Sequence, residues 1–159
     1  MAKIIKKTNA ARLLDELCIP YTLQSFTVDE ADLSAVAAAT ALGTEPEQVF
    51  KTLVVHGDKY GVLLACIPAN TDLALKKLAQ ASNNKSVHLV PLKDVLGLTG
   101  YVRGGCSPLG TKKAYPVYID HSALLFDHIY VSAGQRGLQL LIAPNDLIRA
   151  TSATLGEFV

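Results

Sequence analysis

The chain predicts an α+β fold with a mixed sheet, and three observations carry that prediction. Strand-like and helix-like segments follow one another without the regular alternation that builds a doubly wound parallel sheet. Two strand-like segments are joined by the short turn Gly57-Asp58-Lys59-Tyr60, so some neighbouring strands run antiparallel. At 159 residues the chain is most simply one domain, residues 1–159, large enough to bury a core without staples.

The elements are expected in this order. Thr8 or Asn9 caps a helix whose apolar face is Ala11, Leu14 and Leu17, with Cys18 beside them, and Pro20 ends it. Tyr21 to Phe26 alternates and reads as a strand. Ser34 to Leu42 is an alanine-rich helix closed by Gly43. Glu45 to Gln48 forms a short helical turn with proline early in it. Phe50 to His56 and Gly61 to Ile67 are the hairpin strands. Asp72 to Ala81 is an amphipathic helix with Leu73, Leu75 and Leu78 set against Lys76, Lys77 and Gln80. Val87 to Val90 is a short strand, and Pro91 to Leu96 a short helix that Gly97 closes. Val117 to Asp120, Ile129 to Ser132 and Leu138 to Ile142 are three more strands. Asn145 caps a last helix through Ala150.

Composition narrows the class. The longest weakly polar stretches, Leu33 to Gly43 and Gly61 to Ala69, fall far short of the roughly 20 apolar residues of a membrane-spanning helix. The basic segment from Met1 to Lys7 has no apolar region or cleavage site of a secretory signal. A cytosolic setting with no membrane association is therefore expected. The three cysteines, Cys18, Cys66 and Cys106, are odd in number and widely spaced. They imply neither a disulfide framework nor a zinc pair, and Cys18 and Cys66 read as small buried hydrophobes. With 15 basic and 14 acidic residues, the chain is not built to grip nucleic acid through many phosphate contacts, although reading one end of an RNA stays open. Basic residues do cluster locally, at Lys3, Lys6, Lys7 and Arg12, at Lys76 and Lys77, and at Lys112 and Lys113.

Three segments are chemically odd for a core. In Val49-Phe50-Lys51-Thr52-Leu53-Val54 a cation interrupts an apolar strand. Strand alternation puts Phe50, Thr52 and Val54 on one face, and Lys51, Leu53 and Val55 on the other. Such a lysine either snorkels to water or meets an anion. Gly104-Gly105-Cys106-Ser107-Pro108-Leu109-Gly110 is either an ordinary turn or a cradle of backbone N–H donors for a negative oxygen. Ser132, in Tyr130-Val131-Ser132-Ala133-Gly134-Gln135-Arg136-Gly137, could hydrogen-bond a ligand, but a serine nucleophile needs an adjacent base. The four histidines, His56, His88, His121 and His128, match no triad or metal spacing. No metal or cofactor is expected.

Taken in order, these segments resemble the YbaK/EbsC family of aminoacyl-tRNA deacylases, free-standing relatives of the editing domain of bacterial-type prolyl-tRNA synthetases. The resemblance rests on the lysine in Phe50-Lys51-Thr52-Leu53, the glycine-x-x-x-proline loop Gly104 to Pro108, and the serine-glycine loop Ser132 to Gly137, and it spans nearly the whole chain. It implies a mixed, partly closed β-barrel flanked by helices. It also implies Lys51, Gly104 and Ser132 as the catalytic set, with Phe26, Gly105, Ser107, Pro108 and Gly134 binding substrate; Lys112 and Lys113, which directly follow the Gly104–Gly110 loop, are expected to contact a substrate phosphate. The chain departs from the family pattern at three positions. Phe26 stands where many members have tyrosine, Ala133 where glycine is common, and Cys106 where an aliphatic residue is usual.

The function implied is removal of cysteine from mischarged Cys-tRNA(Pro), with Cys-tRNA(Cys) a further substrate. In the mechanism implied, the substrate thiol attacks its own ester. The partners implied are the 3′ end of aminoacyl-tRNA and prolyl-tRNA synthetase. Two other readings stay open: a deacylase for another substrate such as Ala-tRNA(Pro) acting through water, and a non-catalytic module that binds a nucleotide or the synthetase.

Overall fold

A computed structural model describes residues 7–159, so Lys3 and Lys6 of the basic cluster lie outside the described residues. Within them, five α-helices and eight strands form a mixed α+β arrangement, as the sequence predicts. Helix α1 (Asn9–Glu16) is capped by Thr8, whose hydroxyl accepts from Ala11 N at 3.2 Å. Its buried face is Ala10, Ala11 and Leu14. The expected extension of that face fails, because Leu17 and Cys18 are exposed. Cys18 takes φ +56° and turns the chain out of the helix before Pro20 is reached.

Strand β1 (Thr22–Ser25) follows, then α2 (Ala35–Leu42), capped by Ser34 and closed by Gly43 at φ +72° as expected. Strands β2 (Phe50–Gly57) and β3 (Gly61–Pro68) form the hairpin, in the register Phe50↔Pro68 to Gly57↔Gly61. Helix α3 (Leu75–Ala81) begins later than expected, leaving Asp72 and Leu73 in the preceding loop. Strand β4 (Val87–Leu89) leads into α4 (Leu92–Thr99). Gly97 lies inside that helix, and Gly100 at φ +83° closes it instead. Strand β5 (Val117–Asp120), β6 (Ile129–Gln135) and β7 (Leu138–Ile142) follow. Helix α5 (Pro144–Thr151) starts on proline after Ala143, so Asn145 lies within the helix and does not cap it. Strand β8 (Thr154–Gly156) has no expected counterpart; it pairs parallel to β5.

The strands form two sheets, ordered β1-β7-β6 and β4-β2-β3-β5-β8. A parallel bridge between Val49 and Tyr130 joins them, so the strands curl partway round a common core without closing a barrel. That core holds Leu14, Phe50, Leu64, Leu109, Ile129 and Leu140. A second cluster, including Val55, Leu63, Leu78 and Phe158, packs under α3 on the other face of the larger sheet. A third, with Ala39, Val49, Ala69 and Tyr130, sits under α2. Phe50 and Val54 thus face the main core while Leu53 and Val55 face the second cluster, which is the alternation expected of β2. Asp120 anchors the C-terminal segment. Its buried carboxylate accepts from Phe158 N at 2.9 Å and from the Ser122 hydroxyl at 2.6 Å.

Candidate active site

The site follows from how one edge of β2 is shared. Strand β6 meets that edge at Val49, and β4 pairs with it only from Val55 to Gly57. β2 and β6 do not pair beyond the Val49–Tyr130 bridge, and among the described residues no strand pairs with β2 between β6 and β4. A cleft of about 1020 Å³ opens there, at the large end of the range for small-ligand sites. Helix α2 forms one wall through Ala35 and Ala38. Phe26, Lys51, Gly104 and Ser132, drawn from four separate segments, line the same cleft.

Lys51 is half-buried and donates from Nζ to Ala69 O at 3.2 Å. Among the described residues no carboxylate pairs with it. A partly desolvated ammonium with donors to spare is a place for a phosphate or carbonyl oxygen.

Ser132 stands on the face of the smaller sheet opposite the main core. It is buried, and its Oγ accepts from Gly134 N at 3.2 Å. No histidine lines the cleft, and no base hydrogen-bonds to Ser132 among the described residues. The hydroxyl can orient a ligand but has no group to activate it as a nucleophile. Directly across the β6–β7 ladder is Gln139, only 6% exposed. Its Oε1 is buried without a hydrogen-bond partner among the described residues. An orphaned acceptor costs about 1–3 kcal/mol unless something supplies a donor, and Gln139 lines the cleft.

The two glycine loops are clamped into one unit. A Cβ on Gly105 would sit 3.0 Å from Gln135 Cα, so the loops pack backbone against backbone. Arg136 Nε donates to Arg103 O at 2.8 Å. Tyr101 braces both loops: its ring fills the space beside Gly134, where a Cβ would approach Cε1 to 2.7 Å. Its hydroxyl donates to Leu109 O at 2.6 Å and lies 3.1 Å from Gly110 O. Gly104, exposed at φ +83°, remains at the cleft with room beside it.

Other expected residues stand elsewhere. Ser107 is fully buried, its Oγ accepting from Leu109 N at 3.3 Å, and Pro108 is buried beside it. The loop dives into the core after Cys106 because Leu109 is a core residue. Gly105 and Gly134 support the loops from behind without lining the cleft, and neither Lys112 nor Lys113 lines it. Lys112 lies along Gly100 instead.

Cys106 does reach the cleft, but burial pushes its thiol up to about 11, against the opposing pull of the nearby Thr99 hydroxyl. It stays protonated and poorly nucleophilic near neutral pH. Arg103, Arg136 and Gln139 are cleft residues the sequence did not single out. The available signal for Gln139 was a polar residue inside the otherwise apolar run Leu138 to Ile142. Among the described residues no cluster of three or more histidine, cysteine or acidic side chains could hold a metal.

A family model described as an aminoacyl-tRNA editing domain matches residues 29–150. The chain belongs to the aminoacyl-tRNA editing domain family. This editing domain is 45% identical over 155 residues to EbsC of Enterococcus faecalis (strain ATCC 700802 / V583), a match covering 98% of this chain and 94% of that one. The name of that relative assigns it, provisionally, as a Cys-tRNA(Pro)/Cys-tRNA(Cys) deacylase. Two crystal structures share the fold. The hypothetical protein APE2540 superposes with a TM-score of 0.86 at 22% identity, covering 95% of the editing domain and 99% of its own chain. A protein described as a candidate trans-editing enzyme for prolyl tRNA synthetase superposes with a TM-score of 0.79 at 23% identity, covering 97% and 98%. The family resemblance read from Lys51, the Gly104 loop and the Ser132 loop is borne out. Among the described residues no helix is long and apolar enough to cross a membrane.

Proposed function

We propose that this editing domain is a cytoplasmic, trans-acting deacylase that removes cysteine from mischarged Cys-tRNA(Pro). The observation that supports this best is what the cleft contains. Among the described residues it has a lysine with no carboxylate partner, a buried amide oxygen with no donor, and no activated nucleophile. Such a wall binds and orients a polar substrate and leaves the attack to the substrate. Cysteine carries its own nucleophile.

In this reading the substrate thiol attacks its own ester carbonyl. The S–C bond forms as the ester bond between the acyl carbon and the ribose oxygen breaks, and the thiol proton ends on that released ribose oxygen. The products are a thiolactone and free tRNA. Holding thiol and carbonyl in a near-attack geometry supplies much of the rate. Lys51 binds the terminal phosphate or an adjacent polar oxygen. Ser132 and Gln139 hold the ribose end, and the Gly104 loop closes over the ester. A second, editing site is needed because a synthetase pocket separates residues as similar in size as cysteine and proline by only about 1–3 kcal/mol.

The near-balanced charge favours weak tRNA binding by the isolated protein. Selectivity between Cys-tRNA(Pro) and Cys-tRNA(Cys) is expected to come from a complex with prolyl-tRNA synthetase. Deacylation of both tRNAs with and without added synthetase tests this, and an unchanged preference would count against the partnership. The thiol-assisted route is tested with an S-methylcysteinyl ester, which should resist cleavage. Turnover of that ester at the cysteinyl rate would point to attack by water.

A further inference from the structure

One part of the cleft wall has no role in this scheme, the main chain of Thr52. In an antiparallel pair, successive residues of a strand turn their N–H and C=O to opposite edges. Val49 O accepts from Ala69 N at 2.7 Å on the β3 side, whereas Val54 O accepts from Val90 N at 2.9 Å on the other side. Odd-numbered residues of β2 therefore bond β3, and even-numbered ones face the opposite edge. On that edge the β4 segment takes Val54 and His56, and β6 meets the strand at Val49. Thr52 falls in the gap. Among the described residues neither its N–H nor its C=O finds a partner in the ladders or loops. Its side-chain Oγ1 lies 3.7 Å from the buried Cys66 Sγ. Thr52 lines the cleft, so its open N–H and C=O lie on the strand edge beside the ligand space.

A donor and an acceptor left open on one residue of a sheet edge are half of a hydrogen-bonded antiparallel pair. An aminoacyl ester is chemically the other half. Its α-ammonium donates and its carbonyl oxygen accepts, and both sit on one Cα. We infer that the aminoacyl group docks on Thr52 as a one-residue strand, with its α-ammonium on Thr52 C=O and its ester carbonyl oxygen on Thr52 N–H. The inference rests on the deacylase reading and extends it. It supplies recognition of an α-amino acid as such, independent of the side chain. It also places one fixed N–H where negative charge gathers as the carbonyl is attacked.

The test uses the full-length protein and two esters, Cys-tRNA(Pro) and 3-mercaptopropionyl-tRNA(Pro), which keeps the thiol and ester but lacks the amine. Each rate is divided by the spontaneous cleavage rate of the same ester, which removes the difference in thiol reactivity. The ester without the amine should lose on the order of 10- to 100-fold of the enhancement, the worth of a hydrogen bond to a charged group. Thr52→Pro deletes the open N–H without taking one from the β2–β3 ladder, a place where a strand tolerates proline. It should lower Cys-tRNA(Pro) cleavage by a similar factor while thermal unfolding stays cooperative. Equal enhancement for both esters would overturn the docking and leave the deacylase reading standing. Cleavage of neither would overturn both. Should Thr52→Pro fail to fold, the two esters on the unaltered protein decide the matter alone.

Discussion

Gln139 lies directly across the β6–β7 ladder from Ser132, and the two form a polar pair on a sheet face otherwise covered by the apolar residues under α2. The serine hydroxyl is engaged by Gly134 N, whereas the glutamine oxygen is engaged by nothing among the described residues. An acceptor left without a donor costs stability, and because Gln139 lines the cleft a bound ligand could supply that donor.

Gln139→Leu should therefore separate activity from stability. Removing an unsatisfied buried group should leave the protein unchanged or up to about 1 kcal/mol more stable. Deacylation should fall about 10-fold in kcat/KM with the loss of a substrate hydrogen bond. Urea unfolding and single-turnover deacylation on the same preparation check both. A variant that is destabilised but fully active would show the side chain to be structural.

Tyr101→Phe keeps the ring against Gly134 but leaves Leu109 O without the hydroxyl that holds it at 2.6 Å. The expected result is a modest loss of stability, about 1 kcal/mol, with a fall in kcat larger than any rise in KM, because the glycine loops lose alignment while the rest of the cleft stays in place. A change in KM alone would contradict this bracing role.

Much of this was legible in the sequence. The Ser34 cap, the Gly43 stop and the Gly57–Gly61 hairpin are local features, set by side-chain capping and backbone freedom, and the structure keeps them. What escaped depends on contacts distant in sequence. Strand β8 exists because β5 offers an edge and Asp120 holds Phe158. Gly97 looked like a stop, but the helix runs on to Thr99, whose hydroxyl bonds back to Val95 O at 2.8 Å. The site divides the same way. Lys51, Gly104 and Ser132 were marked by residue type, whereas Gln139 and Thr52 acquire meaning only from where β2 and β6 part. Ser107 looked available in its glycine loop, but Leu109 pulls that loop into the core.

Cys106→Ala should retain deacylase activity within about twofold, since a thiol pushed up to about 11 by burial is not a nucleophile at pH 7. Iodoacetamide should label Cys106 slowly at pH 8 and much faster as pH approaches 11. Loss of activity in Cys106→Ala with the fold intact would overturn this.

Burial also pushes the Cys66 thiol up, from 9.0 to about 12. Above pH 9 the unfolded chain gives up this proton while the folded protein keeps it, so the folded state binds more protons and stability falls as pH rises from 9 towards 12. Each unit of such a shift corresponds to about 1.4 kcal/mol. Thermal melts from pH 7 to 11 should show this decline, and Cys66→Ala should flatten it above pH 9 while costing stability at pH 7. An unchanged slope in the variant would mean that other groups carry the alkaline transition.

The most direct test of the account is release of labelled amino acid from Cys-tRNA(Pro) and Ala-tRNA(Pro), measured in parallel for the unaltered protein and for Lys51→Ala. Selective loss of cysteine is expected, reduced at least about 10-fold by removal of the Lys51 ammonium. Cleavage of Ala-tRNA(Pro) at an equal rate, or cysteine release that does not depend on Lys51, would contradict it.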